Sequence, residues 1–326
     1  MLSNLLLVLG MCFFFGGFNR VTQSFNVTVA QTASSMLALS IGSLIIPTAF
    51  VQFGTGDAEV SKVSRGTSIL LLLVYASYLY FQLKTHVTMY NEPSEKSEKI
   101  KSSRKQEGDA IRGIAQIGAG SAASAGGQVN QSNLVQKDDE EEAEEPTLSV
   151  IGALLTLLIA TVLIAFCSEY MVSGIDAITG TGKVSEEFVG LILIPIVGNA
   201  AGEYHFFVPM LRMLTRLQEH ATAVTVAIKD KMDLAIGVAV GSSMQIALLV
   251  LPLMVVIGWC GLGHNDPPMT LNFDGFQVSA LFIAVLLVNY LIQDGKSHWL
   301  EGILLQTLYL IIAVSAWFYP ATGVAG

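Results

Sequence analysis

The chain has 326 residues, of which 52% are hydrophobic and 13% charged, with a mean hydropathy of +0.59. Soluble domains carry about 25% charged residues, so the composition excludes an ordinary water-soluble domain and points to lipid. The net charge of −9 comes largely from one short acidic run, and no basic, aromatic-rich stretch marks a nucleic-acid surface.

A hydrocarbon core about 30 Å thick takes roughly 20 helical residues to cross. Eight stretches meet or approach that length: 1–16, 29–52, 67–84, 148–173, 187–201 with a continuation at 219–228, 233–259, 275–293 and 300–319. None alternates with period two, the mark of barrel strands, so helices are the predicted spanning elements. The first stretch, MLSNLLLVLG, lacks the basic start and small-residue cleavage site of a signal peptide. It reads as a helix cut open at its beginning. Cys12, Cys167 and Cys260 lie in or beside apolar stretches without metal or redox spacing and are predicted to be structural thiols.

Residues 85–147 form a polar segment containing GAGSAASAGG and the run Asp138-Asp139-Glu140-Glu141-Glu142-Ala143-Glu144-Glu145. Low hydropathy and like-charge blocks predict disorder, and a solvated acidic face rather than a built calcium loop. The segment separates three helices (1–84) from five (148–326). Placing it in the cytosol puts twelve cations there: Arg20, Lys84, Lys96, Lys99, Lys101, Arg104, Lys105, Arg112, Lys137, Lys229, Lys231 and Lys296. The other side receives Lys62, Arg65 and Lys183.

A short internal repeat is present. Ser3-Asn4-Leu5-Leu6-Leu7-Val8-Leu9 aligns without gaps on Gln245-Ile246-Ala247-Leu248-Leu249-Val250-Leu251. Secondary transporters are often built from repeats with the ion site at their interface.

Polar residues at membrane depth mark three places. SEEFVGLILIPIVGNAA meets Pro195, Gly198 and Asn199 near its middle. The backbone freed there is either a ligand for a hard cation or a packing kink. In DLAIGVAVGSSMQIALLV, Ser242 and Gln245 share a helix face. Both offer neutral oxygens of the kind calcium accepts; the competing reading is close helix contact with Gln245 as interhelical glue. Glu219 and His220 precede ATAVTVAI. A carboxylate held within the membrane there binds a divalent cation or a proton in competition, whereas a helix ending there leaves it solvated. Asp233 is predicted to N-cap the sixth stretch.

VSEEFVGLILIPIVGNAA followed by EHATAVTVAIKDKMDLAIGVAVGSSMQIALLV resembles the second α-repeat of the calcium/proton exchanger family, its fungal vacuolar members above all. In that family the motif runs unbroken as GNAAEH. LSNLLLVLG, FNVTVAQTASSMLALS and GTSILLLLVYASYLYFQLKTH resemble the helices before that family's acidic loop. The resemblance implies an all-α polytopic membrane protein with the inverted-repeat cation exchanger fold, about eight of the usual eleven helices being present. It also implies Ca²⁺/H⁺ antiport into an acidic compartment, the vacuole, with no enzymatic chemistry and no cofactor. Calcium and protons are then the cargo and the bilayer the surroundings; self-association is left open.

By position, the resemblance assigns Glu219 as the second-repeat carboxylate, with Asn199, Ser242 and Gln245 as oxygen donors. Ser3 is the remnant of the matching first-repeat site. Glu219 and His220 are assigned to proton handling. Two departures accompany it. The chain starts inside the family's fourth helix, so the helix bearing the first-repeat glutamate is expected to be missing. Gly202 to Gln218, seventeen residues including Pro209, Arg212 and Arg216, separate GNAA from EH. They read as a retained intron, and the chain as written is expected not to transport. Manganese and other hard cations suit the same ligands. Two alternatives are weighed: a non-transporting fragment regulating a full-length exchanger, and an intramembrane hydrolase. The latter lacks its catalytic pair, because Asp176, Asp233 and Asp294 all fall at helix ends.

Overall fold

A computed structural model describes residues 1–54, 57–91, 97, 150–180, 184–196, 219–261 and 268–320. The contacts divide the chain into two units, Met1–Ile100 with Ser168–Gly326, and Lys101–Cys167. In the second unit the described residues, 150–167, belong to the helix Val150–Thr179 (α5 below) and expose Leu155, Leu158, Ile159, Val162, Leu163 and Phe166.

The helices are α1 (π-helical over Ser3–Val8, then Leu9–Gly17), α2 (Val27–Phe53), α3 (Asp57–Tyr80, extended by a π turn at Phe81–Thr85) and α4 (Val87–Asn91). Then come α5 (Val150–Thr179), α6 (Glu186–Phe188, then a π turn at Val189–Leu193), α7 (Glu219–Ile228) and α8 (Met232–Gln245, a π turn at Ile246–Val250, then Leu251–Trp259). The last two are α9 (Gly275–Leu291) and α10 (Trp299–Trp317). Two short antiparallel strands, β1 (Gln23–Ser24) and β2 (Lys296–Ser297), pair Gln23 with Ser297 and Ser24 with Lys296.

Four of these helical stretches, Val27–Phe53, Glu59–Thr85, Met232–Trp259 and Trp299–Trp317, are long and apolar enough to cross a membrane; Ser3–Gly17 and Gly275–Leu291 are shorter apolar helices. Their outer faces carry Leu39, Ile46 and Phe50 on α2, Leu70 and Leu73 on α3, and Leu286 and Tyr290 on α9, all exposed. Such continuous apolar faces are a liability in water and a match for acyl chains. The protein is a polytopic all-α membrane protein.

Local chemistry sets the helix boundaries. Asn26 caps α2, its side chain accepting from Thr28 N (3.1 Å) and Val29 N (3.2 Å). Asp274 caps α9 through Phe276 N at 2.8 Å, and His298 and Glu301 form a capping box at the start of α10. Helix α3 begins ten residues before its apolar stretch, at Asp57 rather than 67. Its polar first turns carry Arg65 over the Trp259 ring at 5.4 Å, so the helix outlasts the hydrophobic span. Asp233 is not the N-cap of α8. Lys231 holds that place, and the Asp233 carboxylate accepts instead from Asn26 N, tying the starts of α2 and α8 together. A carboxylate in the first turn of α8 also suits the positive end of that helix.

The core of this unit surrounds α1. Leu5, Leu6, Leu9, Cys12 and Phe13 are fully buried, and α1 packs against α7, α8 and α10. Its approach to α10 is backbone to backbone: a Cβ on Gly302 would collide with Gly10 O and Phe14 N. Small residues permit this closeness where lipid supplies no hydrophobic drive between helices.

The short sequence repeat extends into structure. A shift of 242 residues carries Leu9, where the α segment of α1 begins, onto Leu251, where that of α8 begins; it also carries Asp57, the start of α3, onto Trp299, the start of α10. It superposes the π turns as well. Leu9 N bonds Asn4 O and Leu251 N bonds Ile246 O, each reaching back five residues.

Candidate functional site

Two of the π turns immediately precede a proline. Ile194 N reaches Val189 O just before Pro195, and Leu251 N reaches Ile246 O just before Pro252. Proline has no N–H and crowds the carbonyl four residues back, so a widened turn ahead of it relieves the clash. In α1 the position equivalent to Pro252 is Gly10, and the same wide turn is kept. Single π turns inside α-helices recur at functional sites.

The polar side chains gather at these turns. Asn4, in the π segment of α1, is 6% exposed, and its Nδ2 donates to Ser242 Oγ at 3.0 Å. The two residues lie 238 apart in sequence, on the two helices that carry the repeat. Ser3 is 2% exposed and its hydroxyl lies beside the Tyr309 phenol of α10. Ser243 is buried, its hydroxyl donating to Ala239 O at 3.1 Å, so it serves its own helix. Ser242 is half-buried and Gln245, three residues on, is exposed.

Ser242 and Ser3 therefore lie on α-helices that pack together, joined through Asn4. Gln245 is not drawn into that contact. Glu219 and His220 open α7, which packs against both α1 and α8, but their side chains and Asn199 lie outside the described residues. Among the described residues no three His, Cys, Asp or Glu converge on a metal-sized space. An open groove of about 830 Å³ between α2 and α9, lined by Gln31, Ser34, Ser35, Asn289 and Gln293, contains none of the expected site residues.

Asn4 is legible in sequence only as a lone carboxamide in an aliphatic run. Its carboxamide and the Ser242 hydroxyl are neutral, oxygen-bearing groups at the contact of α1 with α8. Donors of this kind suit hard, oxygen-seeking cations and need no proton to be released on binding.

A bundle of apolar helices with a repeated helix pattern, and neutral polar side chains bonded between the two helices that carry it, defines a repeat-built polytopic membrane protein. The chain belongs to the sodium/calcium exchanger protein family, whose profile matches residues 1–84, 152–203 and 211–318. The gap at 204–210 falls inside the Gly202–Gln218 stretch.

The chain is 38% identical over 324 residues to a vacuolar calcium ion transporter of Schizosaccharomyces pombe, covering 98% of this chain and 63% of that one. It is 37% identical to a vacuolar calcium ion transporter of Cryptococcus neoformans, covering 99% of this chain and 58% of that one. Thus the chain spans about three fifths of the length of these fungal relatives. It also resembles the crystal structure of selenium-substituted Ca²⁺/H⁺ antiporter protein YfkE, at a TM-score of 0.64 and 28% identity, covering 97% of this chain and 73% of that one.

Proposed function

We propose that this chain supplies the cation-handling helices of a secondary transporter that exchanges Ca²⁺ for H⁺ across the membrane of an acidic compartment, the vacuole in fungi. Residues 1–84 contribute to one half of the carrier and 148–326 to the other. The segment 85–147 is an acidic cytosolic loop between them. Glu219 carries the exchange: ionised it binds Ca²⁺, protonated it releases the ion, so the two cargoes compete for one carboxylate. Asn199, Ser242, Gln245 and Ser3 complete the ligand oxygens, and His220 relays protons to Glu219. No resident cofactor takes part.

The observation that carries this reading is the Asn4–Ser242 hydrogen bond. It joins α1 to α8, the two helices that carry the repeat, through an amide N–H of Asn4 donated to Ser242 Oγ. A hydroxyl oxygen at that place suits a hard cation. In the sequence, residues 202–218 stand between Asn199 and Glu219.

The test is radiolabelled calcium binding to the purified chain in detergent, with and without residues 202–218. Removing them is expected to create calcium binding that strengthens as pH rises, because deprotonation supplies the charge. Glu219→Gln in that background is expected to weaken binding by about tenfold or more and to flatten its pH dependence. Binding indifferent to Glu219→Gln would overturn the assignment. In the unaltered chain, binding that already responds to Glu219→Gln would overturn the role given to residues 202–218.

A further inference from the structure

At the end of α1 remote from Ser3, a second polar assembly involves none of the proposed ligands. Arg20 and Gln23 are buried there, at 7% and 0% exposure. Arg20 donates from one terminal nitrogen to Gly16 O (2.8 Å) in the last turn of α1, and from the other to Ile228 O (3.1 Å) at the last residue of α7. Gln23 Nε2 donates to Ala227 O at 2.9 Å. One cation and one amide thus satisfy orphan carbonyls at the C-terminal ends of two helices, where positive charge is favoured.

Asp230 closes this assembly. Its Oδ1 lies 3.4 Å from Arg20 Nε and accepts from Gln23 Nε2 at 3.0 Å. Its Oδ2 accepts from the main-chain N–H of Ser97 at 2.6 Å, and Ser97 Oγ accepts from Ser24 N at 3.4 Å. Ser97 sits in the polar segment that leads into the acidic run. One carboxylate is therefore shared by the ends of both helices and by the linker.

The backbone at Asp230 makes this sharing informative. Asp230 has φ of +66°, the left-handed region, and no other described non-glycine residue does. Asp230 N bonds Ala227 O and Lys231 N bonds Val226 O, the glycine-type ending of a helix. Glycine is the residue this turn favours. An aspartate there is explained by what its side chain holds, since the turn alone gains nothing from it.

We propose that Asp230 is a positioning residue: its carboxylate locks the C-terminal ends of α1 and α7 together through Arg20 and Gln23 and anchors the linker at Ser97. Docking of the linker and setting of the two helices are then one event. The opposite ends of those helices carry Ser3 with Asn4, and Glu219 with His220, so the state of the linker is felt at the far end of rigid rods. The anchoring itself does not rest on the identity of the transported ion.

The contact of the linker with Asp230 uses the main-chain N–H of Ser97, so Ser97→Cys preserves that contact and reports on it, giving up only the long 3.4 Å bond from Ser24 N. The experiment places Ser97→Cys in the full chain with Cys12, Cys167 and Cys260 replaced by alanine, and follows the rate of maleimide labelling in detergent micelles. An Asn272→Cys chain, in an exposed loop away from the assembly, is the control. Asp230→Asn, Asp230→Gly and Arg20→Gln are each expected to speed labelling at 97 by about tenfold, the loss of a charge-assisted hydrogen bond, and to leave the rate at 272 unchanged. Asp230→Asn tolerates the left-handed turn, so it remains informative if the other two variants fold poorly. Equal rates at 97 in the parent and the Asp230 variants would overturn the proposal, as would Asp230→Gly raising the melting temperature without faster labelling.

Discussion

The two ends of α1 are built on opposite plans. At one end Ser3 and Asn4 face α8 and α10 with neutral groups, Asn4 Nδ2 donating to Ser242 Oγ at 3.0 Å and the Ser3 hydroxyl lying beside the Tyr309 phenol. At the other, Arg20, Gln23 and Asp230 interlock with carbonyls of α1 and α7 and with the linker. A neutral joint leaves no charge behind when it opens; a charged one is costly to open, because breaking it strands buried charge. The difference teaches where this unit can change partners and where it holds.

The contrast can be broken most forcefully between the two ends. Gly302→Val would force α10 away from Gly10 and Phe14. The expected loss is about 3 kcal/mol or more, read as failure to yield a monodisperse species in detergent, with both ends of α1 disturbed together. Arg20→Met tests the charged end alone. It leaves the carbonyls of Gly16 and Ile228 without their Arg20 donor and Asp230 without its cation, for an expected loss of about 2–3 kcal/mol in denaturant unfolding. Asn4→Ala and Ser242→Ala test the neutral end. Each is expected to cost about 1 kcal/mol, and the double variant is expected to cost less than their sum because they share one bond. A strictly additive pair would remove the joint as a coupled unit. If Arg20→Met proved milder than Asn4→Ala, the ranking of the two ends would reverse.

The helices were readable because apolar length in lipid is a strong constraint. Seven of the eight stretches start within three residues of the observed helices, and α3 begins early because Asp57, Glu59 and Lys62 hid a helix that continues past the apolar span. What sequence spacing misses is partnership. Arg20 counts only as a loop cation until Asp230, some two hundred residues on, is seen beside it. Asp233 has the form of an N-cap, yet the backbone of Asn26 claims its carboxylate. The repeat was visible in seven aligned positions, four of them identical aliphatics, while its reach across α3 and α10 emerged only from helix starts that share one shift. Of the expected ligands, Ser242 and Ser3 are buried or half-buried near the repeat contact, and Gln245 is turned outward. The acidic member was suggested by motif order, since its chemistry depends on a helix path through 199 and 219.

The wide turn at Ser3–Val8 has a bearing on how α1 is aimed. A π turn holds one residue more than an α turn, and one residue is worth about 100° of azimuth. Ser3 and Asn4 are thus rotated by a quarter circle or more relative to Cys12 and Phe13, compared with a straight helix. The same residues wound as a straight α-helix throughout would regain ideal geometry and lose that aim. Either the carboxamide would swing from Ser242 or the Phe13 ring would swing toward the acyl chains. The irregularity is the gearing that lets one rod face two neighbours correctly.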